Sequence, residues 1–220
     1  MRICISRLSM RYQIIPGINT DNFEEIKQKI KLLEPFSDWF HLDAADGTFT
    51  KNTIWHNPED LIGFTTSLNI EAHLMVAQPE KIIEKWFLPS VKRIVFNLES
   101  GKAPDFIIER CRLNNTEVGI SIGPDTAWTR VISFLDKINV VQVLCVYPGL
   151  AGQKFIADCL DKIRHLRKEC PECDIEVDGG INPETAKKAK EAGANIFVSV
   201  SYILGGDIKD RIDKLQRAIR

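Results

Sequence analysis

Four residues have the types and spacing to do chemistry together: His41, Asp43, His73 and Asp178. They lie in three short apolar stretches, His41-Leu42-Asp43-Ala44-Ala45-Asp46-Gly47, His73-Leu74-Met75 and Glu176-Val177-Asp178-Gly179-Gly180. Each stretch reads as the end of a strand. Side chains alternate faces along a strand, so His41 and Asp43 share one face. If that face is the inside of a barrel, unpaired ionisable groups are expensive there. Two imidazoles and two carboxylates converging from three strands then need a cation to hold them together. Two nitrogen and two oxygen donors suit Zn²⁺, Mn²⁺, Fe²⁺ or Co²⁺, and the expectation is one divalent ion on His41, Asp43, His73 and Asp178. Taken singly, a strand histidine is usually a hydrogen-bonded core residue, and an aspartate after a strand is usually a cap or turn former. It is their convergence that carries the expectation. His56, in a polar loop before Pro58, and His165, inside a helical stretch, are assigned no role.

A second group of residues reads as an anion cradle. Tyr147-Pro148-Gly149-Leu150-Ala151-Gly152-Gln153 follows a strand and precedes a helix, Gly179-Gly180 follows the next strand, and Val200-Ser201 ends the last one. Loops after late strands that feed helix N-termini supply backbone N–H groups and a favourable dipole for phosphate.

Such residues need elements to position them, and the chain alternates between two patterns. Strands are predicted at Gln13–Ile18, Trp39–Ala44, Asn69–Val76, Arg93–Leu98, Glu117–Ile122, Val140–Val146, Asp174–Val177 and Asn195–Ser201. Between them, Phe23, Ile26, Ile30 and Leu33 recur at helical spacing, as do Phe155, Ile156, Cys159, Leu160, Ile163 and Leu166 over Phe155–Arg167, and Ile208, Ile212, Leu215 and Ile219. Asn182-Pro183 signals a helix start and Gly193 its end. About eight strands alternating with about eight helices predict an α/β protein with a single (β/α)8 TIM barrel. A doubly wound open sheet would carry a GxGxxG turn after the first strand, which Pro16-Gly17-Ile18-Asn19 is not. The expected division is an N-terminal extension over 1–12 and the barrel over 13–220.

Composition limits the function classes. The 220 residues carry 29 Lys+Arg against 30 Asp+Glu, a net charge of -1 that lacks the basic excess of nucleic-acid or membrane-surface binders. No apolar run reaches the ~18 residues of a membrane helix, and the opening MRICISRLSM lacks the core of a secretory signal. A cytoplasmic protein with neither nucleic-acid nor membrane partners is expected. The six cysteines are therefore expected as thiols. Cys170-Pro171-Glu172-Cys173 has no second cysteine pair to complete a zinc site and reads as a turn.

The quoted strand ends, with Pro148-Gly149-Leu150-Ala151-Gly152-Gln153-Lys154-Phe155 and Glu176-Val177-Asp178-Gly179-Gly180-Ile181-Asn182, make the chain resemble a ribulose-phosphate 3-epimerase from about Gln13 to the C-terminus. The resemblance implies a metal on His41, Asp43, His73 and Asp178, with Asp43 and Asp178 as the catalytic acid/base pair. It also implies a homo-oligomer acting on a phosphorylated ketose. The chemistry agrees: inverting a carbon beside a ketone needs a base on one face and an acid on the other. Substrate and phosphate contacts are expected from Gly17, His73, Gly149, Leu150, Ala151, Gly152, Gly179, Gly180, Val200 and Ser201.

The chain departs from the family pattern in the residues around the substrate. Gly17 stands where relatives carry a serine expected to touch substrate, Ala45 where they carry methionine, Asn97 where they carry histidine, and Val200 where they carry glycine. The phosphate loop reads Gly149-Leu150-Ala151-Gly152 in place of Gly-Phe-Gly-Gly. The expected reaction is metal-dependent interconversion of D-ribulose 5-phosphate and D-xylulose 5-phosphate. The alternatives are 3-epimerisation of another ketose phosphate, such as allulose 6-phosphate, and a catalytically weak sugar-phosphate binder. Schiff-base aldolase or decarboxylase chemistry finds no lysine at the strand ends.

Overall fold

A computed structural model describes residues 11–149 and 152–220. Eight parallel strands close into a barrel in chain order: β1 (Gln13–Ile18), β2 (Trp39–Ala44), β3 (Asn69–Leu74), β4 (Val91–Asn97), β5 (Glu117–Ile122), β6 (Val140–Leu144), β7 (Asp174–Asp178) and β8 (Ile196–Ser199). β8 pairs back to β1 through Gln13 opposite Ile196. The expected strands are all present, with ends shifted by up to two residues. Residues 1–10 of the expected N-terminal extension lie outside the described residues, as do Leu150 and Ala151.

The described residues form six α-helices, α1 (Phe23–Leu33), α2 (Pro104–Leu113), α3 (Cys159–Glu169), α4 (Pro183–Ala192), α5 (Ser201–Leu204) and α6 (Ile208–Ala218). Their starts follow local chemistry. Asn22 caps α1 by accepting from the N–H groups of Glu24 and Glu25, and Asn182 with Thr185 forms a reciprocal capping box at α4, just ahead of Pro183. Gly193 closes α4 in the left-handed region, at φ 118. The expectation of about eight helices is corrected by three connections. Between β2 and β3, β3 and β4, and β5 and β6, the described chain makes 3-10 turns at Pro58–Leu61, Pro79–Lys81, Ile83–Trp86 and Trp128–Phe134. The stretches at Pro58 and Pro79 open on proline and stop within a turn, too short to sustain a ladder of i to i-4 bonds.

Strand alternation divides the core in two. In β2, Phe40, Leu42 and Ala44 face the helices and join the large apolar cluster with Ile26, Ile30 and Leu33 of α1. The opposite face, with His41 and Asp43, points into the barrel. Part of the interior is apolar, where Ile15, Val95, Val140, Ile196 and Val198 pack together. Burying each of these side chains contributes about 1.5–3 kcal/mol.

Cys170 and Cys173 are joined by a disulfide across the turn between α3 and β7, which corrects the expectation of thiols throughout. Their Cα atoms lie 5.4 Å apart, within the span that a disulfide bridges. Cys111, Cys145 and Cys159 are free and buried. Among the described residues, no helix is long and apolar enough to cross a membrane.

Candidate active site

The site is built at the carboxyl ends of the strands. β2 contributes His41 and Asp43, β3 contributes His73, and β7 contributes Asp178, one donor atom from each lying within 4.8 Å of the others. All four are buried. His41 Nε2 is 3.3 Å and His73 Nδ1 is 3.2 Å from Asp43 Oδ1, and Asp178 Oδ2 is 4.0 Å from His41 Nε2. Asp43 and Asp178 approach from strands three apart around the closed barrel.

The two carboxyls have unlike environments. Burial works to raise Asp43, but hydrogen bonds from His41 and His73 outweigh it and hold the group below the ordinary carboxylate range. Burial pushes Asp178 up to about 6, with the charge of Asp43 adding to the effect and that of His41 opposing it. Burial also acts to lower His41, yet its contacts with Asp43 and Glu71 raise it well above an ordinary histidine.

Beneath this cluster lies a polar layer that the sequence analysis did not anticipate. His41 Nδ1 meets Glu71 Oε1 at 2.6 Å, and the other oxygen of Glu71 accepts from Arg93 at 2.6 Å. Arg93 also reaches Glu117 at 2.7 Å and lies over the Trp39 ring. Gln142 donates to Glu176 at 2.7 Å, and burial with the nearby Glu71 charge raises the Glu176 carboxyl well above its usual value. Strand alternation carried the signal: Glu71 precedes His73, and Glu176 precedes Asp178, by the two residues that place them on one face.

The donor set fits a divalent ion. Two imidazole nitrogens and two carboxylates converge without a lysine or arginine among them, and His73 Nε2 is buried without a partner. His41 would bind through Nε2, since Glu71 occupies its Nδ1.

A small pocket opens beside these residues, reached by both Asp43 and Asp178. Of the expected phosphate contacts, Gly149, Gly152, Gly179 and Gly180 line it, as do Val200 and Ser201. At Gly179 (φ 102) a Cβ would run into Val146, so the chain turns there only without a side chain. Gly17 does not line the pocket, because a Cβ on it would collide with Val200 Cγ2. His73 stands behind Asp43, within the barrel. His56 and His165 are elsewhere, on the Ile54 carbonyl and the Trp128 ring.

A residue missed by the sequence analysis also lines the pocket. Asn19, just past β1, donates from Nδ2 to Asp43 Oδ2 at 2.9 Å and to the Gly149 carbonyl at 3.3 Å. Its place just past β1, at the carboxyl end where the other site residues gather, was the available signal.

The profile of the ribulose-phosphate 3 epimerase family matches residues 13–204. Ribulose-phosphate 3-epimerase of Schizosaccharomyces pombe is 31% identical over 193 residues, 85% of this chain and 84% of that protein. The Chlamydia pneumoniae enzyme of the same name is 33% identical over 192 residues, 84% of each chain. Among solved structures, 3-keto-L-gulonate-6-phosphate decarboxylase from Vibrio cholerae superposes with a TM-score of 0.72 at 14% identity, covering 96% of this chain and 98% of its own, a likeness of fold. Matched over nearly the whole barrel, the chain belongs to the ribulose-phosphate 3-epimerase family.

Proposed function

We propose that the protein is a metal-dependent 3-epimerase that interconverts D-ribulose 5-phosphate and D-xylulose 5-phosphate. One observation carries the reading beyond family membership: Asp43 and Asp178 enter one pocket from different sides of the barrel, in different protonation environments. With the ketose between them, one aspartate takes the C3 proton from one face while the other, carrying a proton, returns one to the opposite face. The reverse reaction exchanges the roles. A divalent ion on His41, Asp43, His73 and Asp178 would supply positive charge beside the substrate oxygens that become negative as the proton leaves. Glu71 holds His41 in orientation, and the loops at Gly149 and Gly179-Gly180 offer backbone to a phosphate that anchors the sugar. A cytoplasmic location and a homo-oligomeric state belong to the same reading, on the strength of the family resemblance.

Deuterium wash-in tests it. Metal-loaded protein is mixed with ribulose 5-phosphate in D2O and followed by NMR at carbon three. Exchange with appearance of xylulose 5-phosphate, lost on chelation, is the expected result. Exchange without the second epimer would leave only one aspartate at work. Absence of exchange here, with turnover of a hexulose phosphate such as allulose 6-phosphate, would move the assignment to that substrate, and failure on both would favour the weak binder.

A further inference from the structure

We infer that Asn19 is a positioning residue for Asp43 and the pocket's acceptor for a substrate hydroxyl, taking over just past β1 the polar contact that position 17 cannot make. The inference rests on the proposed ketose phosphate chemistry for its substrate half, while its Asp43 half stands on hydrogen bonds alone.

The amide orientation is set by its partners. Asp43 Oδ2 and the Gly149 carbonyl can only accept, so the end of Asn19 facing both must be the NH2 group. Its two protons are thereby engaged, and what remains is Oδ1. No group among the described residues donates to that oxygen, and Asn19 lines the pocket. An acceptor left open at a pocket wall suits a donor hydroxyl, which a ketose presents on nearly every carbon.

The neighbouring position is closed to such a role. Val200 Cγ2 occupies the space of a residue-17 side chain, and Val198 Cγ1 stands 3.3 Å from the same point. The β8 side of the pocket is therefore apolar around Gly17. Asn19, two residues on and just past the end of β1, restores a polar group to the pocket wall.

Asn19 also decides which oxygen of Asp43 works with the histidines. By holding Oδ2, it leaves Oδ1 towards His41 and His73, at 3.3 and 3.2 Å. Its second proton reaches the loop after β6, where phosphate binding is proposed. A single side chain thus ties the acid/base group to the anion loop, so that seating the phosphate and orienting Asp43 become one event.

Two variants of the same branched shape separate these roles. Asn19→Asp keeps an acceptor, loses both donors and sets a second carboxylate against Asp43, whereas Asn19→Leu loses everything polar. Metal-loaded protein is assayed with ribulose 5-phosphate, and Co²⁺ binding is titrated through its visible spectrum, which needs no turnover. Both variants are expected to lose about tenfold or more in kcat, the scale of one lost hydrogen bond. Asn19→Asp should hold KM within about threefold, while Asn19→Leu should raise it about tenfold. Both should shift the Co²⁺ bands, with melting temperatures near that of the parent. Retention of the parent kcat and Co²⁺ spectrum in Asn19→Asp would overturn the positioning role, since removing the donor and opposing it with a carboxylate would then leave Asp43 undisturbed. An unchanged KM in Asn19→Leu would overturn the hydroxyl contact. If the parent protein turns over no ketose phosphate, the proposed function and the hydroxyl contact fall together. The Co²⁺ spectrum then judges the hold on Asp43: shifted bands sustain it and unshifted bands end it.

Discussion

His41 Nδ1 lies 2.6 Å from Glu71 Oε1, both atoms sealed inside the barrel. The contact orients the imidazole so that Nε2 faces Asp43 and Asp178. A carboxylate on the far nitrogen fixes the ring and raises its basicity as a ligand. Glu71 is in turn held by Arg93, whose guanidinium reaches Glu117 at the barrel rim. The orientation of one histidine of the candidate metal site therefore depends on a chain of charged groups running down through the barrel.

Glu71→Ala is expected to weaken divalent-ion binding by about 10- to 100-fold, because His41 is freed to rotate. It also leaves Arg93 without its closest buried partner, and a broken buried pair costs about 3–5 kcal/mol. Metal titration and chemical denaturation of the metal-free protein check the two effects separately. Unaltered metal affinity would show that His41 is oriented by packing alone.

Asp178→Asn is expected to abolish epimerisation, a loss of at least about 10²- to 10⁴-fold, with the fold intact. The uncharged amide suits a site where burial already disfavours the carboxylate. NMR of C3 exchange reads the outcome, and substantial residual turnover would remove Asp178 from the acid/base pair.

Metal affinity should fall in acid, and the sign follows from Asp178. Its carboxyl is pushed up to about 6, so below that pH it is protonated in the metal-free protein and an incoming ion must displace the proton. Above about pH 6 this group imposes no penalty, whereas below it the apparent affinity drops about tenfold per pH unit. Calorimetric titrations at about pH 5 and about pH 7 compare the two regimes. The slope that remains in Asp178→Asn belongs to His41, whose contacts with Asp43 and Glu71 raise it, and an undiminished slope in that variant would take Asp178 out of the linkage.

Gly17 and Val200 should behave as one unit. Gly17→Ala alone forces a Cβ into Val200 and is expected to cost about 1–3 kcal/mol. In a Val200→Gly background that cost should largely vanish, giving a non-additive double-mutant cycle. Val200→Gly alone is expected to lower the substrate KM if the isopropyl group crowds the phosphate. Additive stability changes would mean that the strands shift to accommodate both side chains.

The barrel was legible in the sequence because it rests on local periodicities: alternation in Trp39–Ala44, three- and four-residue spacing in Phe23–Leu33, and a cap at Asn182. His41, Asp43, His73 and Asp178 were legible for the same reason. Residues at strand ends with inward parity must converge once the strands close. Glu71, Arg93 and Asn19 were not, since their meaning lies in partners 22 to 130 residues away along the chain. A glutamate in Asn69–Leu74 reads alike whether it meets solvent or His41. Only closure of the barrel, which sets β2 beside β3 and brings the loop after β6 over β1, decides which it meets. The swap of volume between Gly17 and Val200 was equally hidden. Sequence displays two separate departures from a pattern, and steric exclusion between neighbouring strands makes them a single one.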